Sequence, residues 1–376
     1  MKVVLVTPYY TLSMQRKVVH LALSGIEVRQ VIPQTYYGQV NPVLRQSAPI
    51  ANHVSVPVKL VRPFDPHRAM IVSMLAWLKD FTPDLIAVEW DPDTLMAAQT
   101  ALARSLWSRQ SKLLLHSWQN VARPLSLPVR LVLRYTLQAT DGICCTNRAG
   151  VALLQNWRYK GQLFYQPWLG VDTSIFYRRE RETLRRSLGL DGFVVGYVGR
   201  LSPEKGVDDL IKAMTRLPDD VQCALIGDGP EKLELRHLAL TEGVAGRVHS
   251  LDQIPNESLA QYFSMLDVLV LPSRTTAVWK EQYGRVLLEA MACKVPIIGS
   301  DCGAIPEVVG QAGLIFPEGD IERLADCIRA FHQDPELGSK YGQWGYAQVV
   351  AKYSQEKIAA QMAEVYQRVI EGENIP

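Results

Sequence analysis

An α/β chain with two successive doubly wound parallel domains is predicted from three observations. Short buried-type strands alternate with helical patterns, which is the mark of a parallel sheet with helical crossovers. That alternation restarts after the segment Gln166-Pro-Trp-Leu-Gly-Val-Asp172-Thr-Ser-Ile-Phe176. The chain has 376 residues, 48% of them hydrophobic, enough for two or three filled cores.

In the first set, Lys2 to Val6 reads as a buried strand, Ser13 to Ser24 as a helix closed by Gly25, and Glu27 to Ile32 as a second strand. A loop-rich region from Pro33 to Pro66 follows. Strand patterns recur at Asp84 to Glu89, Lys112 to His116 and Gly142 to Thr146, with helical patterns between them. The second set runs through Phe193 to Val198, Val221 to Ile226, Leu266 to Leu271, Val295 to Ile298 and Gly313 to Phe316. The stretch Tyr353 to Ile370 is helical. The expected domains are 1–170 and 175–350, with a terminal helix over about 353–376.

Composition narrows the function. The net charge is +2, so no global nucleic-acid footprint exists and any basic surface is local. The six cysteines (Cys144, Cys145, Cys223, Cys293, Cys302, Cys327) show neither C-x-x-C spacing nor a paired framework, which argues for reduced thiols in a cytoplasmic protein. The apolar run after Met1 stops at Pro8, too short for a secretory segment, and no run is long enough to span a bilayer.

The most informative stretch is Glu281-Gln-Tyr-Gly-Arg-Val-Leu-Leu-Glu289. It sets two carboxylates eight residues apart around a glycine that opens an apolar helix. A helix starting near Gly284 presents unpaired N–H groups, and these with the macrodipole favour a phosphate. Tyr283, Gly284, Arg285 and Val286 would supply those amides. Carboxylates accept hydrogen bonds from sugar hydroxyls, so the whole reads as a site for a nucleotide diphosphate sugar. Three further motifs follow strands. Gly199-Arg-Leu-Ser-Pro-Glu-Lys205-Gly206 places two cations, Arg200 and Lys205, where they can clamp a diphosphate, with an ordinary solvated turn as the alternative. Gly227-Asp-Gly-Pro230 permits close backbone approach, with Asp228 as the expected N-cap of the next helix. The last is Cys302-Gly-Ala-Ile-Pro-Glu307.

Together these four motifs, covering about 193 to 317, resemble the retaining glycosyltransferases of family 4, whose signature is a Glu, seven residues, and a second Glu. The resemblance implies the GT-B architecture: two Rossmann-like domains facing across a cleft, the N-terminal one on the acceptor side, the C-terminal one binding the nucleotide sugar, and the terminal helix crossing back to the first domain. It implies that Glu281 contacts donor-sugar hydroxyls and that Glu289 hydrogen-bonds the ribose. The alternatives are a solvent-facing Glu281 and a Glu289 that neutralises Arg285. Gly199, Arg200, Lys205, Gly227, Ile254, Tyr283, Gly284, Arg285, Val286 and Glu289 form the expected donor site. Tyr283 replaces the more usual Phe. Asp252 stands where relatives often place glycine, and nothing near Leu251 to Ile254 separates uracil from guanine.

In the first half, the family's glycine-rich loop after the first strand is here Thr7-Pro-Tyr-Tyr-Thr-Leu-Ser-Met-Gln-Arg16, without glycine. His116 resembles the cleft histidine near the reacting sugar, with a packed strand-end residue as the alternative. The expected catalytic set is therefore Glu281, His116, Arg200 and Lys205. Asp91-Pro-Asp93 imitates the metal-binding motif of a different glycosyltransferase fold. Asp93 instead reads as a helix N-cap, and no metal or other cofactor is expected. Arg123 to Arg134 carries three arginines among apolar residues, which reads either as a plain amphipathic surface helix or as a peripheral contact with anionic lipid at the inner membrane face.

The function implied is retaining transfer of a hexosyl unit from a UDP-sugar, or secondarily a GDP-sugar, to a glycan, lipid-linked or small-molecule hydroxyl, as in polysaccharide assembly. The alternatives are a GT-B sugar-nucleotide 2-epimerase and a non-catalytic sugar-nucleotide-binding protein.

Overall fold

The computed structural model describes residues 1–8, 12–36, 39–41, 43–44, 50–65, 67–73, 77–78 and 80–372. The side chains of residues 12 and 13 also lie outside the described set, and with residues 9–11 they take in half of the glycine-free segment after the first strand. Contacts divide the chain into two compact units, Met1–Gly170 with Gln355–Pro376, and Val171–Ser354.

The first unit is built on β1 (Lys2–Val6), α1 (Leu12–Leu23), β2 (Glu27–Pro33), β3 (His53–Val58), β4 (Leu85–Val88), α2 (Leu95–Trp107), β5 (Lys112–Ser117), α3 (Leu127–Ala139), β6 (Gly142–Cys145), α4 (Arg148–Asn156) and β7 (Gln162–Tyr165). The strands form one parallel sheet in the order β7-β6-β5-β4-β1-β2-β3. Because helices cover both faces, the central strands are continuous apolar runs: Val3 to Val6 and Leu85 to Val88 are at most 1% exposed. Val4, Val6, Ile86, Val88, Leu113 and Leu115 meet Met96 and Ala97 of α2 in the core. Strands β3 and β7 were not anticipated. The first alternates part-exposed residues at the sheet edge and the second is four residues long, so neither carries the buried apolar signature.

The C-terminal helix Gln355–Glu371 belongs to this unit, as expected. It packs on α1 and buries Ile358, Met362, Val365, Tyr366 and Val369, a stripe at helical spacing. Gln361 accepts a hydrogen bond from Gln166 Nε2 at 3.0 Å and Gln355 Nε2 donates to the Gly170 carbonyl at 2.9 Å, so polar contacts fix its N-terminal half. No helix among the described residues is long and apolar enough to cross a membrane.

Helix α2 corrects one expectation. Its N-cap is Thr94, whose hydroxyl accepts from the Ala97 amide at 3.3 Å. Asp93 is buried and takes hydrogen bonds from Gln119 (2.6 Å) and Arg123 (2.8 Å). Asp91 takes the Ser117 hydroxyl and the Trp118 amide, both at 2.8 Å. The two carboxylates thus hold the loop after β5.

The second unit contains α5 (Glu182–Leu188), β8 (Phe193–Val198), α6 (Val207–Met214), β9 (Val221–Ile226), α7 (Lys232–Thr241), β10 (Val248–Leu251), α8 (Leu259–Ser264), β11 (Val268–Leu271), α9 (Arg285–Ala292), β12 (Ile297–Ser300), α10 (Ile305–Val309), β13 (Gly313–Phe316), α11 (Ile321–Gln333) and α12 (Pro335–Gln348). Its parallel sheet has the order β10-β9-β8-β11-β12-β13. Strand order therefore reverses between β8 and β11, the switch point at whose carboxyl edge open α/β sheets bind ligands. Strand β10 was missed because its His249-Ser250 centre is polar. Asp228 is a further correction. Helix α7 starts at Lys232, and the Asp228 carboxylate instead accepts from the Gly229 amide at 3.0 Å and lies 3.5 Å from Lys232 Nζ.

Burial, followed by the neighbouring Asp93 charge, pushes the Asp91 carboxyl up to about 6, against the pull of its hydrogen bonds from Ser117, Trp118 and Gln119. An acid whose pKa is raised on folding binds its proton more tightly in the native state, so its contribution to stability falls as pH rises from its unfolded value of about 3.9 to about 6. Asp91→Asn keeps the accepting Oδ1 and removes that charge. Its stability relative to the parent should rise between pH 4.5 and 7.5, by up to about 3 kcal/mol, in denaturant unfolding. A difference that does not change with pH would contradict this.

Candidate functional site

Three segments converge at the carboxyl edge of the second sheet. After β8 the chain passes Gly199 and Arg200, and the Arg200 carbonyl is pinned by the Tyr197 hydroxyl at 2.7 Å. Ser202 Oγ then donates to Glu204 at 2.6 Å, and a single 3₁₀ turn, Pro203–Lys205, aims Lys205 back toward the sheet. The Lys205 ammonium meets Glu281 Oε2 at 2.6 Å and sits 4.6 Å from the centre of the Trp279 ring. Ser273, just past β11, donates to the same Glu281 oxygen at 3.2 Å. The side chains of Lys205 and Glu281 are only 20% and 10% exposed, so their attraction is partly shielded from water.

Glu281 is held from behind by the Cys302-Gly-Ala turn. Its amide donates to Cys302 Sγ (3.5 Å) and its carbonyl accepts from the Ala304 amide (2.9 Å). Gly303 makes this possible. A Cβ there would lie 2.2 Å from the Glu281 carbonyl oxygen, and its φ of +57° is left-handed. Gly284 is the N-cap of α9 with φ +68°, so the backbone turns sharply from the Glu281 loop into a helix whose first amides face outward from the sheet edge. Along α9, Glu289 is buried and 3.0 Å from the Arg285 guanidinium one turn earlier. Burial raises the Glu289 pKa, opposed by the Arg285 charge and hydrogen bond. The pairing with Arg285, one of the two readings drawn from the sequence, is what this structure contains.

The other expected donor-site residues lie around this edge. Gly227 follows β9 and approaches Gly199 so closely that a Cβ on it would fall 1.9 Å from the Gly199 carbonyl oxygen. Ile254 is half-buried in the otherwise exposed loop after β10, where the Asp252 carboxylate meets Lys232 at 2.6 Å. Tyr283 is buried with its ring 6.5 Å from that of Tyr353, and Val286 is half-buried in the first turn of α9. Arg200 is exposed, and among the described residues it has no ion pair, so the cations of this turn differ: Lys205 is engaged and Arg200 is not.

His116 requires correction. It is wholly buried in the first unit, with Nδ1 3.2 Å from the Val88 carbonyl and its ring 4.9 Å from that of Trp168. Burial, then the Lys17 charge, lowers its pKa well below the ordinary histidine value, so it is neutral and packed. Lys17 is itself fully buried, paired with Glu89 and donating to the Trp168 carbonyl at 2.9 Å. A strand-end histidine beside a buried ion pair is a core residue here, with no surface to offer a substrate.

Sequence reading missed Trp279, Ser273 and Arg274. Arg274 binds Asp208 at 2.9 Å and Asp209 at 2.8 Å, tying the loop after β11 to the start of α6. Spacing offered no signal for these, because the contacts of Trp279 and Arg274 reach the segment after β8 and that of Ser273 spans an irregular loop. Among the described residues no group of three or more His, Cys, Asp or Glu side chains is arranged to hold a metal ion.

Residues 180–348, which hold all of this edge, match the family model described as Glycosyl transferases group 1. The match takes in somewhat less than half of the chain. The chain is 33% identical over 224 residues to alpha-maltose-1-phosphate synthase of Mycolicibacterium smegmatis, covering 53% of this chain and 55% of that protein. It is 30% identical over 206 residues to N-acetyl-alpha-D-glucosaminyl L-malate synthase of Bacillus anthracis, covering 53% and 52%. The chain thus spans about half the length of the curated relatives it matches. Among solved structures, sucrose-phosphate synthase from Thermosynechococcus elongatus superposes with a TM-score of 0.76 at 22% identity, covering 99% of this chain and 100% of that one. Anabaena HepE in complex with UDP-glucose gives 0.73 at 18%, covering 98% and 99%. The fold is GT-B.

Proposed function

We propose that this protein is a retaining, metal-independent glycosyltransferase of family 4, which moves a hexosyl unit from a nucleotide diphosphate sugar, preferably a UDP-sugar, to a hydroxyl acceptor. The observation that carries this is the Lys205–Glu281 pair, 2.6 Å apart at the switch point beside the N-terminus of α9. A cation suited to phosphate and an anion suited to sugar hydroxyls stand side by side, as the junction of a diphosphate and a sugar demands. Lys205, Arg200 and the first amides of α9 supply positive charge to a leaving diphosphate, the electrostatic work that breaking a glycosidic phosphate bond requires. Glu281 orients the transferred sugar, and Glu289 uses acceptor capacity beyond its Arg285 contact for the ribose. HepE, whose structure was solved with UDP-glucose, supports a UDP-sugar as the first donor to test.

The acceptor is proposed as a glycan or lipid-linked sugar, with α3 touching an anionic membrane surface from the cytoplasmic side. Leu127 and Leu131 are 65% and 59% exposed one turn apart, Arg130 and Arg134 repeat that spacing, and a cavity of about 1220 Å³ opens beside them.

Assays with a panel of UDP- and GDP-sugars, read for released nucleotide and for isomerised donor, test the reaction. Nucleotide release dependent on an acceptor is expected. Isomerised donor would point to an epimerase, and neither product to a binding protein. Lys205→Ala should weaken UDP binding by about 1.5 to 3 kcal/mol, roughly 10- to 150-fold. Glu281→Gln should lower turnover more than nucleotide affinity, and Glu289→Ala should do the reverse. Equal effects of the two acids on affinity and turnover would refute their separate roles. Flotation with anionic vesicles should recover the parent and lose the Arg130→Gln, Arg134→Gln double variant. Equal recovery of both, or of neither, would leave α3 as a plain surface helix.

A further inference from the structure

We propose that a cavity at the amino-terminal edge of the second sheet, opposite the donor-binding edge, binds a small phosphate ester through Arg178 and Lys294. The cavity has a volume of about 650 Å³, within the range of small-molecule sites and large enough for a hexose phosphate. Phe193 at the start of β8, Asp220 before β9 and Pro296 before β12 all line it, which fixes its place at this edge.

The charge balance inside it points to an anion. Four cations line the cavity, Arg178, Arg181, Arg185 and Lys294, against the carboxylates of Asp220 and Asp267. Asp267 is already committed: it accepts from Arg181 at 2.8 Å, from Arg185 at 2.6 Å and from the Val194 amide at 2.8 Å. Asp220 faces His332 Nε2 at 2.9 Å. Arg178 and Lys294 remain. Among the described residues neither has a carboxylate within ion-pair distance. The nearest polar contact of the Arg178 guanidinium is a long one, 3.5 Å, to the Lys294 carbonyl, and Lys294 Nζ rests 5.0 Å from the centre of the Tyr346 ring. Burial and, next, the Arg181 charge lower the Arg178 pKa, opposed by the more distant Asp267 carboxylate. Two uncommitted cations match a dianionic phosphate, and a guanidinium fork suits its oxygens.

The ester follows from the neutral groups. The Nδ1 of His332 is buried with no hydrogen-bond partner, and Ser339 and Gln343 from α12 also line the cavity. These suit hydroxyls on the organic part of the ligand, which inorganic phosphate lacks. Lys294 lies just past the end of α9, whose other end carries Gly284. That eight-residue helix is about 12 Å long, so a ligand here would press on the element that presents the donor-site amides.

The full-length chain should be titrated calorimetrically with glucose 6-phosphate and with inorganic phosphate, using the parent, Arg178→Gln, Lys294→Gln and Lys205→Ala. The expected result is saturable binding of glucose 6-phosphate that weakens at least tenfold in Arg178→Gln and in Lys294→Gln, persists in Lys205→Ala, and exceeds the binding of inorganic phosphate. Circular dichroism checks the fold of each variant, and Lys294→Gln decides alone if Arg178→Gln does not fold. The proposal is overturned by the absence of saturable binding, by binding lost in Lys205→Ala but unchanged in the cavity variants, or by inorganic phosphate binding as tightly as the ester.

Discussion

The half-shielded contact between Lys205 and Glu281 is the interaction on which the rest of the second unit turns. A lysine and a glutamate 2.6 Å apart satisfy each other at the carboxyl edge of a parallel sheet. Removing either partner leaves the other charge partly buried without a counterpart, a situation that costs far more than an exposed pair is worth. In the proposed reaction a diphosphate sugar would take over both charges together, the phosphate meeting the ammonium and the sugar hydroxyls meeting the carboxylate.

Backbone geometry imposes this contact. Glu281 sits against the Gly303 turn, where any larger residue would collide with its carbonyl. Lys205 ends a 3₁₀ turn fixed by Ser202 and Glu204, and Arg274 ties the next loop to α6 through two aspartates. Preorganisation of this kind fixes the backbone around the pair, so the proposed donor would need to move only the two side chains. The buried Lys17–Glu89 pair plays a different part in the first unit. It is enclosed with His116, Trp168 and Tyr366 where the C-terminal helix packs, so it joins the return of the chain to the first sheet.

Much of the fold was legible because buried parallel strands write themselves as apolar runs. Phe193–Val198 and Val221–Ile226 fall where hydropathy put them, and Gly284 opens α9 as its spacing suggested. Edge strands β3, β7 and β10 were illegible for the converse reason, since one face or one end meets water and the pattern weakens. Caps were misplaced by one to three residues at Asp93 and Asp228, where several residues could serve and only tertiary partners decide: Arg123 takes Asp93, and Thr94 inherits the cap. Local sequence could pair Arg285 with Glu289, four apart on one helix, but not Lys205 with Glu281 through Trp279. His116 misled for the same reason, as its burial depends on Trp168, far along the chain.

The most direct test of the central claim is a crystal structure of this protein with an intact, non-hydrolysable UDP-sugar. The expected result is that the Lys205–Glu281 contact opens, with Lys205 Nζ on a phosphate oxygen, Glu281 on hydroxyls of the transferred sugar and the ribose beside Glu289. An unbroken 2.6 Å pair with the nucleotide bound elsewhere, or a ribose lying against Glu281, would contradict it.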